Sequence, residues 1–155
     1  MLRQKARPMW YEDLESNIVE YALHFIGKPY RWGGKGPIGL DCSGLVCEAL
    51  KAFGIVKTDL DAQSLFKVFL QVSARVSTPK IGSLLFYGPN EVEIKHVAIA
   101  LDDAYIVEAG GGGHLIVTLD LAESAGAMVR VRRNDYRMDL IACLVPNYQT
   151  LLLRH

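Results

Sequence analysis

The sequence predicts an α+β domain in which N-terminal helices pack on a mostly antiparallel sheet of five to six strands. Three observations carry this. Apolar residues recur at helical spacing through the first half of the chain. From Ser83 onward the apolar residues come instead in short runs bounded by turn residues. Asp102-Asp103 separates two of those runs as the turn of a hairpin would. Helices first and strands afterwards is the order of an α+β domain with an antiparallel sheet.

The elements follow in order. Leu14, Ile18, Tyr21, Ala22 and Phe25 share one helical face, which predicts a helix over residues 12–26 stopped by Gly27. A glycine- and proline-rich loop fills 28–40. A second helix starts near Cys42 and runs through Leu45, Val46, Ala49, Leu50 and Phe53 to Gly54. A third covers 61–72, with Leu65, Phe66 and Phe69 inward. Strands are expected at 84–87, 97–101, 104–107, 115–119, 128–132 and 140–145, the first ending in the turn Gly88-Pro89-Asn90. There is no internal repeat and no linker, so a single domain is expected over residues 1–155 with its core at about 14–147.

Half of the 155 residues are hydrophobic, enough for a sizeable core. Seventeen basic and seventeen acidic residues cancel, which removes the electrostatic argument for nucleic acid or an anionic membrane as partner. No run approaches the roughly 18 apolar residues of a membrane span. The basic segment 1–11 is followed by Glu12, Asp13 and Glu15 rather than by an apolar stretch, so no secretory signal is expected. Three cysteines do not make a disulfide framework. With no CxxC or HExxH, no metal or other cofactor is expected.

Asp41-Cys42-Ser43-Gly44 stands where the glycine loop meets an apolar helix. The thiolate is the reactive form of cysteine, and a helix N-terminus stabilises negative charge. Backbone N–H groups of the first turn could also hold an oxyanion. Asp41 or Ser43 can cap the helix, and Gly44 would let a substrate approach. The bland alternative is a small buried apolar residue, which is how Cys47 and Cys143 read.

Of the four histidines, His155 is terminal, His24 lies off its helix's apolar stripe and His114 follows four glycines. His96 stands at the mouth of an apolar strand, a rigid platform for a general base. An imidazole base works best when its other nitrogen is held. Glu108, twelve residues on and past the Asp102-Asp103 turn, returns beside His96 as a candidate orienter. Taken alone, either residue could be an ordinary edge residue.

Together these residues resemble the NlpC/P60 family of papain-like cysteine peptidases, over roughly 14–145. The motifs are Gly27-Lys28-Pro29-Tyr30-Arg31-Trp32-Gly33-Gly34, Asp41-Cys42-Ser43-Gly44-Leu45-Val46, Leu85-Phe86-Tyr87-Gly88-Pro89-Asn90, His96-Val97-Ala98-Ile99-Ala100-Leu101 and Ile106-Val107-Glu108-Ala109. The resemblance implies Cys42 as nucleophile, His96 as base, Glu108 at the third position and Tyr30 near the thiolate. It places Asp41 and Ser43 on the substrate cleft. It implies hydrolysis of an amide through a thioester acyl-enzyme, with the stem peptide of peptidoglycan as substrate. Many members cut between D-glutamate and a diamino acid. No nucleic-acid partner is expected, and the protein is expected to act as a monomer.

Two departures stand out. Gly82-Ser83 replaces the family's Gly-Asp, and Asp61-Ala62-Gln63-Ser64-Leu65-Phe66 resembles the variant of phage-associated members. The expected route to the cell wall, from synthesis in the cytoplasm, is phage lysis, tail delivery or secretion-system export.

Trp32 either stacks on substrate or braces its loop. The glycines at 110–113 read as a mobile lid or a flexible connection. Arg130, Arg132 and Arg133 read as a solvated strand face. Competing readings are an amidase or acyltransferase on another amide or acyl substrate, a phage tail or wall-binding component, and a zinc site built from Cys42, His96 and Glu108.

Overall fold

The computed structural model describes residues 13–36 and 39–152. Helix α1 (Leu14–Leu23) is followed by a two-stranded ribbon, β1 (Lys35–Gly36) with β2 (Gly39–Leu40). Helices α2 (Cys42–Ala52) and α3 (Ala62–Leu70) come next. Then follow β3 (Ser73–Val76), β4 (Leu84–Tyr87), β5 (His96–Ala100), β6 (Tyr105–Gly110), α4 (Leu119–Ala125), β7 (Met128–Arg133), β8 (Leu140–Pro146) and α5 (Tyr148–Leu152). The six strands β3 to β8 form one sheet in the order β3-β8-β4-β5-β6-β7, every neighbouring pair antiparallel. The α+β class and the antiparallel sheet are as the sequence predicts.

Local chemistry fixes where the helices begin. The Asp41 carboxylate accepts from Gly44 N at 2.6 Å and opens α2. Asp61 does the same for α3 through Ser64 N at 2.7 Å. Each satisfies an N–H that the helix itself leaves without a partner.

The strands alternate between two buried faces, as period-two geometry requires. Leu84, Phe86, Val97, Ile99, Val107 and Leu144 join the helices' Leu14, Ile18, Leu45, Leu50 and Phe69 in the main core. Leu85, Tyr87, Ala98, Ala100, Ile106 and Cys143 form a second cluster, against which Tyr136 and Val76 pack. By the same alternation His96 shares a face with Ala98, and Glu108 with Ile106. His96 and Glu108 therefore belong to the smaller, second face, whereas Cys42 and Tyr30 pack with the main core.

Four elements differ from expectation, the first being the β1–β2 ribbon inside the expected loop 28–40. The apolar run 115–119 is no strand: it turns into α4. Thr118 caps that helix by accepting from Leu121 N at 3.2 Å, and Gly126 closes it in the left-handed region at φ 64°. Capping at both ends outweighs an apolar run whose Leu115, Val117 and Leu119 stay exposed. Strand β3 lies at the sheet edge, paired only with β8, so its polar sequence carries no burial pattern to read. The short helix α5 after Asn147 also has no sequence signal beyond its buried Tyr148 and Leu151.

Candidate active site

Cys42 is the first residue of α2, and the segment before it is held tightly. Both oxygens of Asp41 are occupied: Oδ1 accepts from Gly44 N and from Ser43 Oγ at 3.2 Å, and Oδ2 accepts from Gly33 N at 3.1 Å. Asp41 thus ties the glycine loop to the helix that carries the thiol. Asp41 and Ser43 are both buried. Their place is behind the sulfur, in the scaffold, rather than on the cleft wall expected for substrate contacts. Gly44 is needed for close approach, but by the chain itself. A Cβ there would sit 2.2 Å from the Gly34 carbonyl oxygen.

His96 begins β5 and is 6% exposed. Its Nε2 lies 2.6 Å from Glu108 Oε2. Cys42 lines the same cleft as this imidazole and interacts with it electrostatically. Counting the β5–β6 ladder on from Ile99↔Val107 puts Gly110 opposite His96 and Glu108 two residues along on the same face. Gly110 has no side chain to block the diagonal: a Cβ there would lie 2.5 Å from Glu108 Oε1. A glycine at that rung is what lets the glutamate reach the histidine.

Glu108 is fully buried. Its Oε2 also accepts from Tyr136 Oη at 2.5 Å. Its Oε1 faces Arg132 Nε at 3.5 Å and Arg130 Nε at 4.0 Å. Burial alone would push the carboxyl upward, but the His96 bond, the Tyr136 bond and the Arg132 charge hold it below its ordinary value. Burial likewise disfavours a charged imidazole. The interactions with Cys42 and Glu108 outweigh it and raise His96 to about 9. Tyr30 is buried, and burial pushes its phenol upward, so it stays a neutral donor.

A cleft of about 260 Å³ opens on this group, with Tyr30, Trp32, Cys42, His96 and Tyr136 on its walls. Trp32 is half exposed there, its ring edge-on to His114 at 6.2 Å between centroids. The structure thus brings Cys42, His96, Glu108, Tyr30 and Trp32 to one place and leaves Asp41 and Ser43 behind it. A larger groove of about 690 Å³, between Asp13, Val72 and Pro146, carries none of the candidate residues. Among the described residues no three His, Cys, Asp or Glu side chains are grouped to hold a metal ion, and no helix is long and apolar enough to cross a membrane.

Two expectations are corrected. Arg130 and Arg132 are not a solvated face, since both lean on the Glu108 carboxylate and are only partly exposed. The attraction of a buried anion draws them inward. The glycines at 110–113 serve neither simply as lid nor as slack. Besides Gly110 against Glu108, a Cβ on Gly111 would meet Arg130 Nη2 at 2.6 Å, and one on Gly112 the Tyr30 ring at 2.4 Å. Each of the three glycines makes room for a site residue.

Sequence reasoning missed Tyr136. It lies in the polar turn Asn134-Asp135-Tyr136-Arg137 between β7 and β8 and carries no periodicity. A lone aromatic in such a turn was the one available signal.

Comparison with known proteins places this geometry. Dipeptidyl-peptidase 6 of Lysinibacillus sphaericus is 36% identical over 107 residues, covering 69% of this chain and 36% of that protein. Peptidoglycan endopeptidase RipA of Mycolicibacterium smegmatis is 30% identical over 115 residues, covering 65% of this chain and 22% of RipA. The chain therefore spans little more than a third of the first relative and less than a quarter of the second. Among solved structures, the NlpC/p60 domain of the peptidoglycan hydrolase SagA superposes with a TM-score of 0.63 at 29% identity, covering 84% of this chain and 97% of that domain. The profile of the NlpC/P60 family matches residues 27–133, the stretch that holds Tyr30, Cys42, His96 and Glu108, and the chain belongs to that family.

Proposed function

We propose that the protein is a cysteine endopeptidase that hydrolyses amide bonds in peptidoglycan stem peptides, at the bond between D-glutamate and the diamino acid. The observation that carries this is a buried imidazole, bonded to the Glu108 carboxylate, on the same cleft as a cysteine at the N-terminus of a helix. The names of the relatives, a dipeptidyl-peptidase, a peptidoglycan endopeptidase and a peptidoglycan hydrolase, support the substrate class.

The proton of Cys42 Sγ passes to His96 before the sulfur attacks the amide carbonyl, as the raised imidazole favours. Glu108 holds the resulting imidazolium. The neutral Tyr30 phenol and the first turn of α2 stabilise the oxyanion. The imidazolium then gives its proton to the leaving amine as the C–N bond breaks, which leaves a thioester. Water, deprotonated by His96, attacks the thioester. The acid product leaves and the proton returns to the sulfur.

The test is digestion of diaminopimelate-type peptidoglycan by wild type and Cys42→Ala, with soluble products identified by mass spectrometry. Products cut after D-glutamate with wild type alone are expected. Equal release by both proteins would sink the mechanism. Release at another bond would retain the hydrolase and change its specificity.

We infer further that the protein reaches the wall by phage-associated delivery, a reading supported by the segment Asp61-Ala62-Gln63-Ser64-Leu65-Phe66. Expression in the cytoplasm should then lyse cells only when the inner membrane is permeabilised. Lysis without permeabilisation counts against that route.

A further inference from the structure

The cleft is charged on one side. Beyond the imidazoles, the side chains of fixed charge on its wall are Lys95 and Arg137, and among the described residues no acidic one lines it. In a chain whose basic and acidic residues balance, that is a local excess. The Glu108 carboxylate is fully buried and bonded to His96 and Tyr136.

Both cations have acidic partners that do not line the cleft, and the two pairs differ. Arg137 is fixed: its Nε and Nη2 both donate to Asp139, at 2.8 and 2.7 Å, and its guanidinium stacks on the Tyr87 ring at 5.4 Å. A guanidinium held by one edge presents its remaining N–H groups in a set direction. Lys95 is loosely held: its one ion pair, with Glu93 at 3.0 Å, joins two side chains that are each at least half exposed. Such a pair is worth little and can be exchanged for another anion. A rigid cation beside a swinging one, next to a nucleophile, suits a negatively charged group close to the bond being cut.

We propose that Lys95 and Arg137 recognise a free carboxylate on a residue flanking the scissile amide, so that the protein selects acid forms of its substrate over carboxamide forms. This rests on the hydrolase reading above. In a stem peptide two groups qualify: the α-carboxylate of the γ-linked glutamate on the acyl side, and the unlinked carboxylate of the diamino acid on the amine side. Amidation of either removes the charge and leaves the shape.

The experiment uses synthetic stem tetrapeptides, in which diaminopimelate keeps one unlinked carboxylate, with both flanking carboxylates free, with the glutamate amidated and with the diaminopimelate amidated. Expected is a loss of ~10-fold or more in kcat/KM, mainly through KM, on amidating one of the two. The double variant Lys95→Met with Arg137→Met should cleave acid and amide forms alike, and the single Lys95→Met should lose part of the preference. The peptide that suffers identifies the side of the cleft. Equal cleavage of all three by wild type, or a preference that survives the double variant, overturns the proposal and leaves the hydrolase standing. Calorimetry of the same peptides on Cys42→Ala separates the two readings. Acid-selective binding with no turnover by wild type would retain the carboxylate site and overturn the hydrolase.

Discussion

Tyr136 and His96 share a single oxygen of Glu108. The phenol donates to Oε2 from 2.5 Å and the imidazole Nε2 approaches it at 2.6 Å, while the arginines face Oε1. The carboxylate is therefore held from both ends, and the imidazole it orients cannot rotate without breaking a buried, charge-assisted bond. Tyr136 touches both the orienter and the cleft, so it sets the plane in which the base works.

Tyr136→Phe removes that donor and keeps the ring. Expected is a fall of ~10-fold in kcat with little change in KM, because positioning of the base is lost rather than substrate binding. Stability should fall by about 1–3 kcal/mol, the range for losing a hydrogen bond to a buried charge. Steady-state kinetics with chemical denaturation checks both. An unchanged kcat removes Tyr136 from the machinery.

Stability should have a plateau bounded by the two members of the pair. The folded value of His96, about 9, exceeds its free value of 6.5. Its contribution is therefore complete below about 6.5 and is lost as pH rises through about 9. Glu108 is held below its free value of 4.5, so its contribution is present above about 4.5 and is lost as pH falls through the folded value. Denaturation measured across pH should show both limbs. In Glu108→Gln the acid limb should flatten and the alkaline limb should move to lower pH, since the imidazolium has lost its anion.

Neighbouring glycines should respond oppositely. In Gly112→Ala the new methyl would collide with the Tyr30 ring, whereas at Gly113 a Cβ meets nothing within 4 Å. Expected for Gly112→Ala is a loss of ~10-fold or more in kcat/KM and about 1–3 kcal/mol in stability, the cost of overpacking. Gly113→Ala should match wild type. If the run were only slack, both substitutions would be equally harmless.

Thr118→Ala should cost about 1 kcal/mol through its lost cap on α4. Activity per folded molecule should not change. Thermal unfolding beside a turnover assay separates the two.

Much of this was legible in the sequence because its signals were local. The DCSG start of α2, the helical stripe of α1 and the His96 to Glu108 hairpin each depend on residues within a dozen positions. What stayed hidden depended on distance in the chain. Tyr136 meets Glu108 across 28 residues, and Arg132 reaches it from the adjoining strand. Strand β3 is defined only by β8, which follows it by more than sixty residues. Asp41 illustrates another limit: a carboxylate beside a nucleophile looks like a substrate ligand until both its oxygens are seen bonded to the backbone and Ser43.

The glycines beside β6 carry one more consequence. Because 110–113 line the cleft without side chains, that wall consists of peptide groups alone. Peptide groups recognise the direction and spacing of another chain's amides, whatever residues it bears. Point mutation at 110–112 cannot add a side chain to this wall without displacing Glu108, Arg130 or Tyr30, whereas Gly113 has room for one. Drift in what this protein accepts is therefore open at Gly113 and at the cleft side chains Trp32, Lys95 and Arg137 rather than along 110–112.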